Sequence, residues 1–301
     1  MSLLEEIDDL FYPRSLVKKS KAAGISLKKG YGLRNLLSAA SKAPQVVIKI
    51  PRRKGNSKGL NAVKSHLDYL SRYGKLKIEN QDGLVYLGKN GRKDIVEDLR
   101  GYGIAMESKK REAINFVFSM PPGTPPNLVK DAVRKTAEQE FHNHLYYFTL
   151  HTDAAHPHVH LCVLLKGRNG KRLNPRKNDL QRYRIVFADH LRDLGVECTA
   201  TPRCYKGLAK SQKNNIFKHV ERRKGQEKSR REEDIALEGE VKDSVSKRYR
   251  AIINKLRDSG NYREAAQVSE LYESFNQNTS ISTPSRLSQN QNQEQEVSRD
   301  L

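Results

Sequence analysis

The most restrictive feature of the sequence is a pair of short apolar runs that flank a histidine-rich loop. Residues 146–151 and 159–165 have the apolar, aromatic and β-branched composition of strands, and only the seven residues TDAAHPH separate them. The dipeptide Asn169-Gly170, a strong hairpin signal, follows the second run. Short, hairpin-like links between strands predict an antiparallel sheet.

Further elements extend this sheet and cover it. QVVIKI at 45–50 and AINFVFSM at 113–120 predict two more strands, and amphipathic patterns predict helices at 128–140 and 180–194. Together these elements predict an α+β fold, with an antiparallel central sheet and flanking helices packed on one of its faces.

The basic loop PRRKGNSKG leads from the first strand into a helix with one apolar stripe. The stripe consists of Leu60, Val63, Leu67 and Leu70, at α-helical spacing. On the same helical wheel Tyr69 points roughly 140° away from the centre of the stripe. We therefore expect Tyr69 to face away from the core of its own helix. Tyr73 is expected one turn further on, on a similar face.

Nearly all of the excess positive charge lies in the middle of the chain. The sequence has 56 Lys and Arg against 35 Asp and Glu, a net charge of +21, and residues 45–225 hold 36 of these cations and 17 of these acids. Such a concentration is typical of proteins that bind a polyphosphate, and a solubilising basic surface is the simpler alternative. Charge alone does not distinguish DNA from RNA or an anionic lipid.

The sequence also predicts the compartment. No apolar stretch approaches the roughly 20 residues of a membrane-spanning helix, and the acidic start MSLLEEIDDL is unlike a secretory signal. Three cysteines, an odd number without metal-ligand spacing, are typical of a reducing environment. We therefore expect a cytoplasmic protein without membrane insertion.

Changes in composition predict four segments. Residues 1–44 are expected to form a basic N-terminal arm with at most short helices, and residues 45–225 the α+β domain. Residues 226–276 are rich in charge of both signs, and the pattern from 241 to 276 predicts a helix pair. Residues 277–301 are rich in Asn, Gln and Ser and have too few apolar groups for a core, which predicts disorder.

Four of the nine histidines lie in the string HTDAAHPHVH, which begins at His151. Side chains alternate along a strand, so His158 and His160 should project from one face, with His151 at the end of the preceding strand. Three neutral imidazoles in this arrangement can hold one divalent ion and leave positions open for a phosphate oxygen. By strand alternation His156 would lie on the same face as His158. However, Pro157 between them interrupts the hydrogen bonding of the strand, so we expect His156 to lie nearby without being a ligand.

Asp153 is the acidic residue of this cluster. Two functional roles are open to it, since it could orient a ligand histidine or accept a proton during reaction. Ordinary capping of the loop is the structural alternative. A single histidine is more often structural or exposed than a ligand, but the clustering of four weakens that interpretation.

The motifs resemble a known family. HTDAAHPHVH is similar to the third motif of conjugative relaxases in the HUH endonuclease superfamily, close to the T-DNA border endonucleases and plasmid mobilisation proteins. HLDYLSRYGKL at 66–76 resembles the first motif, FSMPPGT at 118–124 the second, and ATPRCYKGL at 200–208 a basic downstream stretch. The pieces stand in the family's order within about 45–225, and the resemblance implies a minimal relaxase with an HUH-endonuclease-like fold.

The resemblance implies a reaction. Tyr69 would attack one phosphodiester at the nick site of a transfer origin, leaving a free 3′-hydroxyl and a 5′-phosphotyrosyl link. A divalent metal ion, Mg or Mn, is implied at the three histidines of the strand pair, although three imidazoles suit transition ions better. Asp153 or a nearby base would remove the phenolic proton, and Tyr73 is the alternative nucleophile.

Cationic side chains are expected to hold the DNA phosphates. The candidates are Arg52, Arg53, Lys54, Arg72, Lys171, Arg172 and Arg203. The expected partners are single-stranded DNA at the nick site, accessory nick-site proteins and a type IV secretion coupling protein. The resemblance further implies a bacterial protein that moves to the recipient cell with the DNA.

Three other functions fit parts of the pattern. The spacing of Tyr69 and Tyr73 resembles the paired tyrosines of rolling-circle replication initiators, but those usually carry the histidine motif before the tyrosine. HPHVHLC resembles the histidine-triad nucleotide hydrolases, a class that leaves both the basic segment and HLDYLSRYGKL unexplained. A DNA-binding accessory protein without enzymatic activity is the third alternative.

Overall fold

The two apolar runs around the histidine-rich loop form neighbouring antiparallel strands in a computed structural model of the chain. The structure describes residues 2–12, 26–51, 58–210, 234–236 and 239–280. The chain divides into two units, Met1–Ala200 and Thr201–Leu301, and each has its own buried apolar side chains.

The described part of the first unit contains both helices and strands. They are α1 (Leu3–Phe11), α2 (Tyr31–Ala40), β1 (Val47–Lys49), α3 (Gly59–Leu70), β2 (Ile78–Asn80), β3 (Val85–Tyr86), α4 (Gly88–Gly101), β4 (Ala113–Ser119), α5 (Pro126–Phe141), β5 (Tyr146–His151), β6 (His158–Leu164) and α6 (Lys177–Asp193). The strands form one sheet in the order β1-β4-β6-β5-β2-β3, and all neighbouring pairs are antiparallel. The predicted α+β fold with an antiparallel central sheet and flanking helices is confirmed.

Helices cover both faces of the sheet, so the expectation of helices on one face is wrong. On one face Phe116 of β4 packs against Phe141 of α5 and Tyr183 of α6, with ring centroids 5.3 and 5.8 Å apart. On the other face Cys162 and Leu164 of β6 share a buried cluster with the apolar residues of α3 and α4. The physical reason is that β6 is apolar on both sides and therefore needs cover on both.

Helix α3 has the predicted apolar stripe, and all four stripe residues are buried. The helix begins at Gly59, whose φ of 70° and close approach to the Met106 carbonyl oxygen leave no room for a side chain. It ends at Leu70, and Arg72 and Tyr73 both follow with positive φ. The expectation that Tyr73 lies one helical turn beyond Tyr69 is therefore wrong, because the helix stops between them.

The sequence patterns missed the elements between residues 78 and 101. Strands β2 and β3 have only three and two residues, too few for a visible alternation. Helix α4 begins with a glycine, half of its residues are charged, and its buried residues are Gly91, Ile95 and Leu99. Short strands and a narrow apolar stripe give little periodic signal, so tertiary packing decides these elements.

In the described part of the N-terminal 44 residues, the helices α1 and α2 have nine and ten residues. The buried Asp8 carboxylate accepts hydrogen bonds from the backbone N–H groups of Gly30 and Gly32, both at 2.7 Å. Ile7 and Leu36 are fully buried. The short helices expected in this segment thus pack within the first unit.

The second unit contains a 3₁₀ turn (Arg203–Lys206), the paired strands β7 (Leu208–Lys210) and β8 (Asp234–Ala236), and the helices α7 (Gly239–Asp258) and α8 (Tyr262–Ser280). These two helices correspond to the helix pair predicted at 241–276. Helix α8 extends into the segment predicted to be disordered, because the Asn278 side chain donates to the Lys206 carbonyl and Thr279 is buried. Residues 281–301 lie outside the described residues.

In the described part of the chain, no helix combines the length and the apolar composition that a membrane crossing requires.

Replacement of Leu67 by alanine tests the packing of α3. Leu67 is buried in the cluster beneath the sheet, so Leu67→Ala should lower the free energy of unfolding by about 2–5 kcal/mol, the usual cost of a core cavity. The measurement is chemical denaturation followed by circular dichroism. Lys64→Ala, at an exposed position of the same helix, is the matched control. Equal stability of the two variants would contradict the assigned packing.

Candidate active site

Strand pairing brings three of the four clustered histidines together. In the β5–β6 register His151 lies opposite His158, and Thr149 lies opposite His160. The three histidines therefore share one face of the sheet, and one ring nitrogen from each lies within 4.8 Å of the others. This is a geometry in which three imidazoles can face one ion.

Backbone carbonyls orient two of the rings. Nε2 of His151 lies 2.7 Å from the carbonyl oxygen of Leu70, at the end of α3. A carbonyl only accepts, so Nε2 carries the proton and the buried Nδ1 keeps its lone pair; it has no hydrogen-bond partner among the described residues. Nδ1 of His158 donates in the same way to the His156 carbonyl, at 3.2 Å. Metal-ligating histidines commonly make this type of second hydrogen bond.

Burial favours the neutral form of two of these histidines, His151 and His160. It lowers the pKa of His151, and it is the largest cause that lowers the pKa of His160 to about 3, followed by the charges of His151 and His158. A neutral imidazole has a lone pair to give to a metal, whereas a protonated one has none. The donor set of the three histidines thus fits a divalent ion.

Tyr69 lies beside the histidines. It is the penultimate residue of α3, its side chain is 48% exposed, and its ring centroid is 5.7 Å from that of His160 and 6.5 Å from that of His151. The helical wheel predicted that Tyr69 turns away from the stripe of α3, and its exposure agrees. A helical wheel describes one helix only, so it could not predict that the exposed side of α3 lies beside the histidines.

Asp153 pairs with Arg72. A carboxylate oxygen lies 2.5 Å from the Arg72 guanidinium, whose central carbon lies 5.2 Å from the centroid of the Tyr69 ring. Desolvation raises the pKa of Asp153, but the hydrogen bond and charge of Arg72 outweigh it and hold the pKa below its usual range. The contact joins the loop after α3 to the loop between β5 and β6. No hydrogen bond joins Asp153 to a ring of the three histidines in the described structure.

Tyr73 and His156 have other surroundings. Tyr73 is 79% exposed, and among the described residues it makes no ring contact like those of Tyr69 with the histidines. The ring of His156 is exposed beside His158, while its backbone carbonyl accepts the His158 hydrogen bond. His156 thus contacts the site through its main chain.

The predicted DNA-binding residues are dispersed. Arg72 is at the site, whereas Lys171 and Arg172 follow β6, and six strand residues put this turn about 20 Å from His160. Arg172 also donates to the Arg111 carbonyl and lies 3.6 Å from Glu112. Arg203 is in the 3₁₀ turn of the second unit. Arg52, Arg53 and Lys54 lie outside the described residues.

Two buried polar residues on the histidine face were missed by sequence reasoning. Thr149 lies directly opposite His160, and Asn115 lies opposite Cys162 on the neighbouring strand. The Thr149 hydroxyl and the Asn115 amide oxygen have no hydrogen-bond partner in the described part of the chain. Strand alternation from His151 could have identified Thr149, whereas the position of Asn115 depends on the β4–β6 register.

Comparison with known families agrees with this fold. Residues 80–196 match the family model described as Relaxase: MobA/VirD2-like, nuclease domain. This match supports a relaxase nuclease domain of the HUH endonuclease superfamily in this part of the chain. The match includes the three histidines and Asp153 and begins after Tyr69. At a general level it connects the chain with DNA nicking in conjugative transfer or mobilisation. No curated protein matches the chain significantly.

The orientation of the rings predicts unequal effects of histidine substitutions. His158→Ala and His160→Ala each remove one ring nitrogen from the cluster, so each should weaken Mn²⁺ binding by more than the roughly 10- to 100-fold that loss of an outer partner costs. His156→Ala keeps the backbone carbonyl that orients His158 and should change binding little. Isothermal titration calorimetry with Mn²⁺ measures this difference. Equal losses of Mn²⁺ affinity in all three variants would show that strand alternation does not identify the ligands.

Proposed function

We propose that this chain nicks and rejoins one DNA strand at a transfer origin, with Tyr69 as the nucleophile. The observation that carries the proposal is the position of the Tyr69 ring beside His160 and His151, on the face where the three histidines converge. The motif order, with the tyrosine before the histidines, and the relaxase family match support it over a replication initiator or a nucleotide hydrolase.

The reaction would exchange one ester for another. The Tyr69 oxygen attacks the scissile phosphorus, a new phosphotyrosyl bond forms, and the bond from phosphorus to the 3′ oxygen breaks. The phenolic proton leaves the tyrosine, and the departing 3′ oxygen takes up a proton as the free hydroxyl. Since the phosphotyrosyl ester replaces one ester bond by another, the 3′-hydroxyl can attack it and restore the strand without ATP.

Two positively charged groups would stabilise the negative charge that this step creates. A divalent ion bound by His151, His158 and His160, Mg or Mn by the family resemblance, would draw negative charge from the scissile phosphate. A hydroxyl is a weak nucleophile until it loses its proton, so groups that stabilise the phenolate would promote the attack. The Arg72 guanidinium over the ring of Tyr69 would provide a positive charge near the phenol that becomes an anion.

Asp153 would act through Arg72. Its carboxylate is paired with the guanidinium at 2.5 Å, and a carboxylate stabilised in this way is a weaker base than a free one. These contacts favour a positioning role for Asp153 over direct removal of the phenolic proton. Orientation of a ligand histidine by Asp153 is less well supported, because backbone carbonyls already hold His151 and His158.

The substrate would be single-stranded DNA, held by the excess of cations in residues 45–225, which we propose as the extent of the relaxase domain. The proposed phosphate contacts outside the described residues are Arg52, Arg53 and Lys54. Accessory nick-site proteins, a secretion coupling protein, a cytoplasmic location and transfer with the DNA rest on the family resemblance alone.

Replacement of Tyr69 by phenylalanine tests the nucleophile. Tyr69→Phe removes only the attacking oxygen, so it should keep affinity for single-stranded DNA within about twofold and abolish the covalent protein–DNA adduct. The assay is adduct formation on a supercoiled plasmid that carries the element's own transfer origin, with the attachment residue identified by mass spectrometry. Chelation of divalent ions should also stop cleavage by the wild-type protein. Adduct at wild-type yield with Tyr69→Phe, and none with Tyr73→Phe, would reverse the assignment.

The salt dependence of DNA binding tests the basic loop after β1. Binding that releases counterions weakens log-linearly with salt, and loss of two phosphate contacts flattens the slope by about one or two units. Arg52→Ala combined with Arg53→Ala should therefore weaken cognate and scrambled single strands about equally and reduce the slope. Fluorescence anisotropy across a salt series measures both quantities. Loss of discrimination with an unchanged slope would mean that the loop reads bases.

A further inference from the structure

An exposed aromatic side chain lies close in sequence to the proposed nucleophile. Tyr73 is 79% exposed, far more than the 48% of Tyr69, and it follows Tyr69 by only four residues. Such an exposed aromatic ring offers a flat apolar surface on which another molecule can pack.

Backbone hydrogen bonds fix the turn from which the Tyr73 side chain projects into solvent. The Tyr73 N–H donates to the Asp68 carbonyl at 2.7 Å, and the Leu76 N–H donates to the Ser71 carbonyl at 2.8 Å. Gly74 packs directly against Gly88, whose N–H donates to the Gly74 carbonyl at 3.3 Å. The turn is thus fixed on both sides, and the exposure of Tyr73 is built into its backbone.

The backbone conformation of this turn is an unfavourable one. Tyr73 has a φ of 58° and Arg72 a φ of 49°, values that residues other than glycine rarely adopt. Asparagine or glycine would satisfy such positions at lower cost, but this chain has an arginine and a tyrosine. The first of them is already part of the site, since Arg72 lies over the Tyr69 ring and pairs with Asp153. Unfavourable backbone that presents functional side chains is common at binding sites.

The charge of the surrounding segment indicates the type of partner. Residues 71–77 contain Arg72, Lys75 and Lys77 and no acidic residue. A flat aromatic face among cations matches the chemistry of single-stranded nucleic acid, in which an apolar base alternates with an anionic phosphate. An apolar protein surface would match the ring but not the cations.

We propose that Tyr73 is a stacking platform for an unpaired nucleobase adjacent to the phosphate that Tyr69 attacks. This inference rests on the proposed function and adds a base-binding subsite to it. In this subsite the ring of Tyr73 binds the base, and its hydroxyl is not required. Stacking one base there would help to hold the strand splayed while Arg72 and the histidines face the phosphate.

Two substitutions separate the ring from the hydroxyl. Tyr73→Asn removes the ring with a residue that tolerates the left-handed backbone, so the turn is preserved. It should lower affinity for a short single-stranded oligothymidylate by about 5- to 100-fold, the usual effect of losing one base–aromatic stack. Tyr73→Phe keeps the ring and should bind within about twofold of wild type. Tyr262→Asn, which removes a tyrosine that is 70% exposed in the second unit, is the matched control and should bind like wild type.

A second measurement detects the contact directly. An oligothymidylate substituted with 5-bromodeoxyuridine should crosslink to Tyr73 under ultraviolet light, with the crosslinked residue identified by mass spectrometry. Affinities measured by fluorescence anisotropy at one fixed salt concentration complete the test. Use of the Tyr69→Phe background removes any contribution from covalent capture of the DNA.

The outcomes distinguish this proposal from the nucleophile assignment. Unchanged affinity with Tyr73→Asn and no crosslink at Tyr73 would overturn the stacking platform and leave the assignment of Tyr69 intact. Equal losses with Tyr73→Asn and Tyr73→Phe would also overturn it, because the hydroxyl would then carry the effect. With Tyr69 intact, loss of the covalent adduct in Tyr73→Phe would make the Tyr73 hydroxyl the nucleophile and overturn both the platform and the assignment of Tyr69.

Discussion

The buried hydrogen bond between His151 Nε2 and the Leu70 carbonyl connects the two halves of the site. It is 2.7 Å long and joins residues 81 positions apart, one on a central strand and one at the end of the helix that carries Tyr69. The same bond assigns the proton to Nε2 and so leaves Nδ1 as the free nitrogen on the side of the other histidines. The position of the helix end and the chemistry of the ring therefore depend on one contact. Packing of α3 against β5 and β6 keeps the two partners together.

Electrostatics adds a second link between the same parts of the chain. Arg72, just after the helix that carries Tyr69, pairs with Asp153, in the loop between the strands that carry the histidines, and the guanidinium lies over the Tyr69 ring. Asp153 is itself exposed, so the pair is a surface ion pair, which contributes little to stability. Its main effect is geometric, because it places a positive charge where a nucleic-acid phosphate and a phenolate would both lie. The same turn presents Tyr73 to solvent, so one short segment would supply charge and a stacking surface.

Much of the fold follows from local patterns, and the exceptions have identifiable causes. The strands around the histidines and the helices near 128–140 and 180–194 were predicted within a few residues, because each has a clear apolar period. β2, β3 and α4 were missed because they are too short or too charged to show one. The end of α3 at Leu70 was also missed, and with it the true position of Tyr73. The helix ends where it does because the following residues, a glycine among them, adopt left-handed backbone conformations. The apolar stripe of the helix carries no information about those conformations.

By itself, the sequence determined the alternation of His158 and His160, the direction of Tyr69 relative to its own helix, the concentration of positive charge and the motif order that resembles a relaxase. These are local properties, set by residue type and by the period of a strand or helix. Only the tertiary structure decided that the exposed side of α3 meets the histidines, that Asp153 pairs with Arg72, and that Leu70 and His156 orient the rings. Such contacts join distant residues, and two of them use main-chain carbonyls, which every residue has and no sequence pattern marks.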